Sequence, residues 1–91
     1  MRLVFVEWLD SSGCSAGWQE LEGASGRPVT CKSVGWLFHD AKDCKVIIPH
    51  LSVPAKNCPA QGAGDMTIPA KSVVRMVTLR EPKPERSRLA V

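Results

Sequence analysis

The sequence predicts an all-β protein: a small barrel of about five strands with a long first loop and a disordered C-terminal tail. β-branched and aromatic residues are concentrated in short runs, and glycine, proline and polar residues separate those runs. The motif GWQELEG at residues 17–23 is too short and too glycine-bounded to form a substantial helix. We assign the barrel to residues 1–79 and the tail to residues 80–91.

The first predicted strand covers residues 2–10, RLVFVEWLD. Val4, Val6 and Trp8 form one uninterrupted alternate face, so these three side chains are expected to point inward. The segment from Asp10 to Gly13 supplies a turn, because aspartate and serine side chains cap their own backbone.

Residues 13–29 are interpreted as a long loop that folds over one edge of the barrel and has room for a short strand or helical turn. Its apolar anchors are Trp18 and Leu21. Two roles are open for Trp18: a lid on the core, which is the commoner role in a small domain, or a residue that stacks on a ligand.

A central hairpin is predicted from two strands, residues 30–38 and 45–51, joined by a polar turn from His39 to Asp43. Gly35 lies in mid-strand, where it allows a sharp bend or the close approach of another backbone or a ligand. Both alternate faces of the first strand contain apolar residues. That strand is therefore expected to be covered on both sides, by the core and by either the Trp18 loop or a neighbouring subunit.

Proline and glycine mark the second half of the chain. Residues 52–65 are predicted to be an exposed, mobile loop. A short strand then ends at Ile68-Pro69, residues 69–72 form a tight or single 3₁₀ turn, and the last strand covers residues 73–79. The charged, proline-containing residues 80–91 have almost no core-forming side chains and are predicted to be disordered.

The charge distribution argues against duplex DNA as a partner. Of the net charge of +3, the last twelve residues carry +2, so the predicted barrel is nearly neutral and lacks a broad basic face.

No run of eighteen apolar residues and no leader-like N-terminus is present, so we expect a soluble, intracellular protein with no membrane partner. A 91-residue chain also has little core to spare for a buried reaction centre.

The four cysteines are Cys14, Cys31, Cys44 and Cys58, and their spacings contain no CxxC pair. A structural zinc site is therefore not expected, because such sites usually include a closely spaced ligand pair. Cys31 and Cys44 flank the central hairpin and could face each other, but a reducing compartment favours free thiols. We expect four small, semi-buried thiols and no cofactor.

Catalytic motifs are also absent from the sequence. The sequence offers two pairs of side chains for catalysis: a histidine with an acid, His39 and Asp40, and a histidine with a nucleophile, His50 and Ser52. These histidines are expected at a turn and at a strand end. No GxSxG, HExxH or phosphate-cradling glycine loop occurs. The chain is therefore predicted not to be an enzyme and to have no catalytic residues.

Binding is the favoured activity, and the candidate residues are of two chemical kinds. The flat side chains that can stack on a base are Trp18, Trp36, Phe38 and His39. The cations that can meet phosphate are Lys32, Lys42, Lys45, Lys71 and Arg75. For each residue the plainer alternative stays open, namely that the aromatics belong to the core and the cations are only solvated.

The order of predicted elements is that of the SH3-like small barrels, and two segments resemble the two-part signature of Sm-like proteins. These segments are VGWLFHDAKDCKVII and MTIPAKSVVRMVTL. The matching positions are Gly35, Leu37, Asp40 and Ile68 to Val74. No asparagine follows the acidic turn where Sm proteins place a base-contacting one, and Pro69-Ala70 replaces their Arg-Gly, so the resemblance implies the barrel and not the Sm mode of RNA binding.

Most of the stretch from residue 4 to residue 79 also resembles a group of small proteins encoded by tailed bacteriophages, through VEWLDSSGCSAGWQELE, CKSVGWL, IIPHLS and MTIPAKSVV. This resemblance implies a phage accessory protein in the host cytoplasm. Our leading hypothesis is a homo-oligomer that holds a nucleotide-type ligand or a short single strand at subunit junctions, for example to sequester a host immune signalling nucleotide. The alternatives are an adaptor that binds and inhibits a host protein, and a virion or assembly component.

Overall fold

The computed structural model of the chain describes residues 1–12, 17–24 and 26–84. Residues 13–16 and 25 of the predicted first loop, which include Cys14, lie outside the described residues, as do residues 85–91 of the predicted tail. In chain order the elements are β1 (Leu3–Asp10), a first 3₁₀ turn (Leu21–Gly23), β2 (Val29–Asp40), β3 (Cys44–Ile48), β4 (His50–Leu51), β5 (Gly62–Ala63), β6 (Met66–Pro69), a second 3₁₀ turn (Ala70–Ser72) and β7 (Val73–Thr78).

Five of the strands form one antiparallel sheet in the order β6-β3-β2-β1-β7, and β4 pairs with β5 in a separate two-stranded sheet. The predicted all-β class is confirmed. Strands β6 and β7 lie at opposite edges of the larger sheet and do not pair with each other in the described part of the chain. The hydrogen-bonded ladder is therefore open rather than closed into a barrel.

The core lies on the inner face of the large sheet and is mainly aliphatic. Its buried members are Val4, Val6, Leu37, Ile47 and Ile68, with Trp8, Val73 and Met76 packed against them. The predicted inward face of the first strand is confirmed, since Val4 and Val6 are fully buried and Trp8 packs on the cluster. The Trp8 indole Nε1 donates a hydrogen bond to Ser33 Oγ at 3.0 Å, which satisfies its polar atom at the border of the core.

Gly35 lies opposite Val4 in the β1–β2 ladder and is buried. A Cβ atom at this position would lie 3.1 Å from both the carbonyl carbon and the carbonyl oxygen of Ile48. The missing side chain therefore lets the end of β3 approach β2 closely, which is one of the two roles predicted for this glycine.

A β-bulge interrupts the β2–β3 ladder at Phe38. Leu37 pairs with Ile47 and His39 pairs with Val46, so two residues of β2 occupy the space opposite one residue of β3. The predicted turn from His39 to Asp43 is wrong at its start, because β2 continues to Asp40 and only residues 41–43 turn. His39 is thus a strand residue.

The segment predicted as a mobile loop is exposed, as expected, but it forms a β-hairpin, which we call the arm (residues 50–63). The arm closes at a tight turn, where Ala55 and Cys58 exchange two backbone hydrogen bonds of 2.9 Å and Asn57 adopts a φ of 62°. Pro54 and Pro59 flank this pair at positions whose nitrogen points away from the partner, so neither proline removes a bond.

The predicted elements at the end of the chain are confirmed to within one residue. Pro69 ends β6, a single 3₁₀ turn follows, and β7 runs to Thr78. The Ala70 N–H donates to the Asp43 carbonyl oxygen at 2.8 Å, which joins this turn to the β2–β3 turn. Residues 80–84 are exposed and have no regular secondary structure.

Candidate functional site

The outer face of the sheet carries three aromatic or imidazole side chains along β2: Trp36, Phe38 and His39. Alternation alone would place Phe38 and His39 on opposite faces, but a bulge puts both of its residues on one side of the strand. The bulge therefore brings the Phe38 ring and the His39 imidazole to the same surface, beside Val46 of β3.

These residues line a cleft of about 460 Å³, which we call the Phe38 cleft. Its sheet side is formed by Phe38, His39, Val46, Ile48 and Thr67, and its other side by Ala60 and Gly62 of the arm together with Asp65. Phe38 is 62% exposed, so its ring is available to a ligand. The volume lies in the range of small-molecule sites.

A second cleft, of about 390 Å³, lies on the other side of Ala60, and we call it the Trp36 cleft. Trp36 and Met1 line it together with residues 51–54 of the arm and Glu81, which follows β7. Its lining is more apolar than that of the Phe38 cleft. Because Ala60 lines both clefts, they are adjacent.

Two glycines let the arm lie against the sheet. A Cβ atom on Gly62 would lie 3.0 Å from the Ile48 Cγ2 atom, so only glycine allows this approach without displacing the isoleucine. Gly64 has a φ of +76°, a conformation that favours glycine, and a Cβ there would lie 3.0 Å from Pro49 Cγ. Gly62, which lines the Phe38 cleft, therefore lets the arm approach Ile48 of β3 at that cleft.

The candidate lysines lie away from the linings of both clefts. Lys42 is exposed in the β2–β3 turn, and Lys71 is exposed in the second 3₁₀ turn. The hydrogen bond between the Ala70 N–H and the Asp43 carbonyl oxygen places these two turns side by side at one end of the sheet. Lys45 is half-buried and engaged with Asp40.

Arg75 and Trp18 are also separate from the clefts. The Arg75 Nε atom donates to Glu7 Oε2 at 2.9 Å, and its guanidinium lies 5.3 Å from the centroid of the Phe5 ring. Trp18 is fully exposed, so its interpretation as a lid on the core is wrong. The first loop therefore leaves the outer face of β2 uncovered at Val34, which is 52% exposed.

Sequence reasoning missed the two carboxylates of the clefts, Asp65 and Glu81. Asp65 follows a glycine-rich stretch that is typical of a loop, and Glu81 belongs to the predicted tail. Their proximity to Phe38 and Trp36 depends on how the arm and the chain after β7 fold back over the sheet. No local sequence pattern encodes that arrangement.

An ion pair at the end of the β2–β3 hairpin perturbs one carboxyl group. Lys45 Nζ donates to Asp40 Oδ1, and also to the Ala41 carbonyl oxygen at 3.0 Å. The hydrogen bond from Lys45 is the main reason that the pKa of Asp40 lies below its ordinary value of 3.8. Partial desolvation opposes this shift, and the positive charges of Lys45 and Arg2 reinforce it.

Replacing Lys45 by methionine is expected to raise the pKa of Asp40 toward 3.8, because the variant loses both the hydrogen bond and the nearby charge. Since the pKa is lowered in the folded state, the contact contributes stability that is present above the unfolded-state pKa and is lost as the pH falls through the folded-state value. A carboxyl-detected NMR titration measures the shift. Lys42→Met, in the adjacent β2–β3 turn, is the control, and an Asp40 pKa that does not change in Lys45→Met contradicts the assignment.

The described residues contain no group of three histidine, cysteine or acidic side chains placed to hold a metal ion. Cys31, Cys44 and Cys58 are free thiols. Cys31 lies opposite Trp8 and Cys44 lies opposite Pro69, so these cysteines do not face each other across the hairpin. Cys58 is exposed, which differs from the expected semi-burial and reflects its place at the turn of the arm.

Fold and clefts together define a small, mostly β protein whose open antiparallel sheet carries two ligand-sized clefts on its outer face. No protein-family model matches the chain, and comparison with curated proteins and with solved structures gives no match. Within the part of the chain that the structure describes, no helix has the length and apolar character needed to cross a membrane.

Proposed function

We propose that this chain is a small, non-catalytic binding protein that holds a nucleotide-type ligand in the Phe38 cleft. The observation that carries the proposal is the exposed Phe38 ring beside the His39 imidazole in a cleft of about 460 Å³. An exposed aromatic face stacks on any base, and base–aromatic stacking contributes about 1–3 kcal/mol per base.

The proposed fold type is an SH3-like, Sm-like barrel. In the described part of the chain its two edge strands, β6 and β7, are not joined to each other by hydrogen bonds. Support comes from the element order, in which a central β2–β3 hairpin is followed by a single 3₁₀ turn between the last two strands of the sheet. Further support comes from the close approach of the end of β3 to Gly35, which brings two neighbouring strands together as a small barrel requires.

The proposed assembly is a homo-oligomer. Strands β6 and β7 each have one neighbour in the described sheet, so each leaves an edge able to pair with another chain. The outer face also exposes Val34 and Val77 beside Phe5, and a second copy could cover these residues.

The proposed biological setting is a phage accessory protein in the host cytoplasm that sequesters a host immune signalling nucleotide. This setting follows from the sequence resemblance together with the proposed ligand class. It requires that the protein bind the nucleotide without turnover.

Cyclic and linear oligonucleotides are expected to raise the melting temperature of the protein, and the rise should grow with ligand concentration. At a concentration of 100 times Kd the stabilisation is about 2.7 kcal/mol, which corresponds to a shift on the order of 10 °C for a domain of this size. Phe38→Ala is expected to weaken binding about tenfold or more, because it removes the stacking face. Trp18→Ala is the matched control, since that ring is exposed but lies outside the clefts. Unchanged melting temperatures across the ligand panel would contradict the proposed function.

A second candidate function, a protein adaptor, is favoured by the exposed apolar residues of the outer face and by the two free sheet edges. An adaptor gains no stability from nucleotides and instead retains one host protein on an affinity column. Retention that is lost in Val34→Asp but kept in Phe38→Ala would assign the outer face, rather than the cleft, to the activity.

A further inference from the structure

We infer that the Phe38 and Trp36 clefts bind the two bases of one dinucleotide, and that each base presents hydrogen-bond donors to a carboxylate, as guanine does. This inference rests on the proposed function and names its ligand class. It is drawn from the pairing, in each cleft, of one aromatic ring with one acidic side chain: Phe38 with Asp65, and Trp36 with Glu81.

The two clefts are placed to act on one ligand. Trp36 and Phe38 are separated by one residue of β2, and a strand rises about 3.3 Å per residue, so the two rings project from points about 7 Å apart. Ala60 of the arm lines both clefts, so the two clefts are adjacent at that residue. Neighbouring nucleotides that unstack can each meet one aromatic side chain in such an arrangement.

The charge of the clefts determines which part of a nucleotide enters them. Among the described residues, those lining the two clefts include the carboxylates of Asp65 and Glu81 and no lysine or arginine. A carboxylate repels phosphate and accepts hydrogen bonds. The bases therefore enter the clefts, and the phosphates stay on the solvent side.

The same carboxylates discriminate between bases. The N1–H and N2–H₂ groups of guanine form a fork of donors that one carboxylate accepts with two parallel, charge-assisted hydrogen bonds. Adenine presents a single amino group beside an acceptor nitrogen, which faces a carboxylate unfavourably. In both clefts, an aromatic ring that stacks on the base and a carboxylate that accepts two hydrogen bonds from it thus select guanine.

Calorimetric titration of the full chain tests the inference with four probes: linear pGpG, linear pApA, GMP and AMP. We expect pGpG to bind at least tenfold more tightly than pApA and at least tenfold more tightly than GMP. Asp65→Asn and Glu81→Gln are each expected to weaken pGpG about tenfold and to leave pApA unchanged, because each amide offers a donor to the donor edge of guanine. Glu20→Gln is the matched control, since Glu20 is exposed and lies in the first loop away from both clefts.

The outcomes separate this inference from the function on which it rests. If pApA binds as tightly as pGpG, or if GMP binds as tightly as pGpG, the guanine or the two-base assignment is overturned while nucleotide binding stands. If no probe binds, both fail. A uridine octanucleotide with one GG step tests whether the two bases belong to a longer strand or to a free dinucleotide. Tighter binding than pGpG assigns the clefts to a strand, and equal or weaker binding assigns them to a free dinucleotide. Both results support the two-base site.

Discussion

Gly35→Ala is expected to lower the free energy of unfolding by about 1–3 kcal/mol, and Gly35→Val is expected to leave the protein largely unfolded. The reason is steric: the new Cβ atom would lie 3.1 Å from the carbonyl carbon and oxygen of Ile48, and 3.2 Å from its nitrogen. These atoms belong to the backbone of β3, which cannot move without disturbing its pairing with β2. The extra methyl groups of valine enlarge the clash.

Urea denaturation followed by tryptophan fluorescence measures this effect. Gly26→Ala is the matched control, because a Cβ atom on Gly26 meets nothing within 4 Å and its cost should stay within about 0.5 kcal/mol. Equal midpoints for Gly35→Ala and Gly26→Ala would show that β3 does not approach β2 closely at this point.

The five strands of the large sheet and the last turn could be predicted because their signals are local, but the predicted strand 45–51 is wrong at its end, since it is divided at Pro49 into β3 and β4, which lie in different sheets. Alternation of apolar residues in the first strand sets which face is buried, as the full burial of Val4 and Val6 shows. Pro69 has no backbone N–H and excludes a continuous central strand, so the turn between β6 and β7 could also be predicted from the sequence.

The bulge and the arm could not be predicted because they depend on pairing between segments. Whether Phe38 and His39 share a face is decided by the register of β3, which a pattern within β2 does not reveal. Proline and glycine in the arm suit a loop as well as a hairpin. The backbone pairing of β4 with β5 and of Ala55 with Cys58 distinguishes the two.

Of the predicted site residues, Trp36, Phe38 and His39 line the clefts, whereas Trp18 and the cations do not. Phe38 and His39 line one cleft, but Arg75 is paired with Glu7 across two neighbouring strands. Sequence alone does not tell a paired cation from a free one, because the partner is 68 residues away along the chain. Asp65 was missed for the same reason, since its place in the cleft is set by contacts distant in sequence.

Ile68→Ala is expected to lower the free energy of unfolding by about 2–5 kcal/mol, which is a large part of the stability of a domain this small. Ile68 is fully buried in the core, and it is the buried residue of β6, a strand of four residues whose one partner among the described strands is β3. Removing its side chain leaves a cavity and loosens the strand that carries Thr67 into the Phe38 cleft. Stability and ligand binding should therefore fall together.

Leu21→Ala is the matched control for this effect, because it deletes the same number of carbon atoms from a side chain that is 86% exposed. Its cost should stay within about 0.5 kcal/mol. Chemical denaturation compares the two variants directly, and hydrogen exchange of the β6 amides tests the strand itself. If Ile68→Ala and Leu21→Ala unfold at the same denaturant midpoint, the burial of Ile68 does not stabilise β6. The core would then not position Thr67 in the Phe38 cleft.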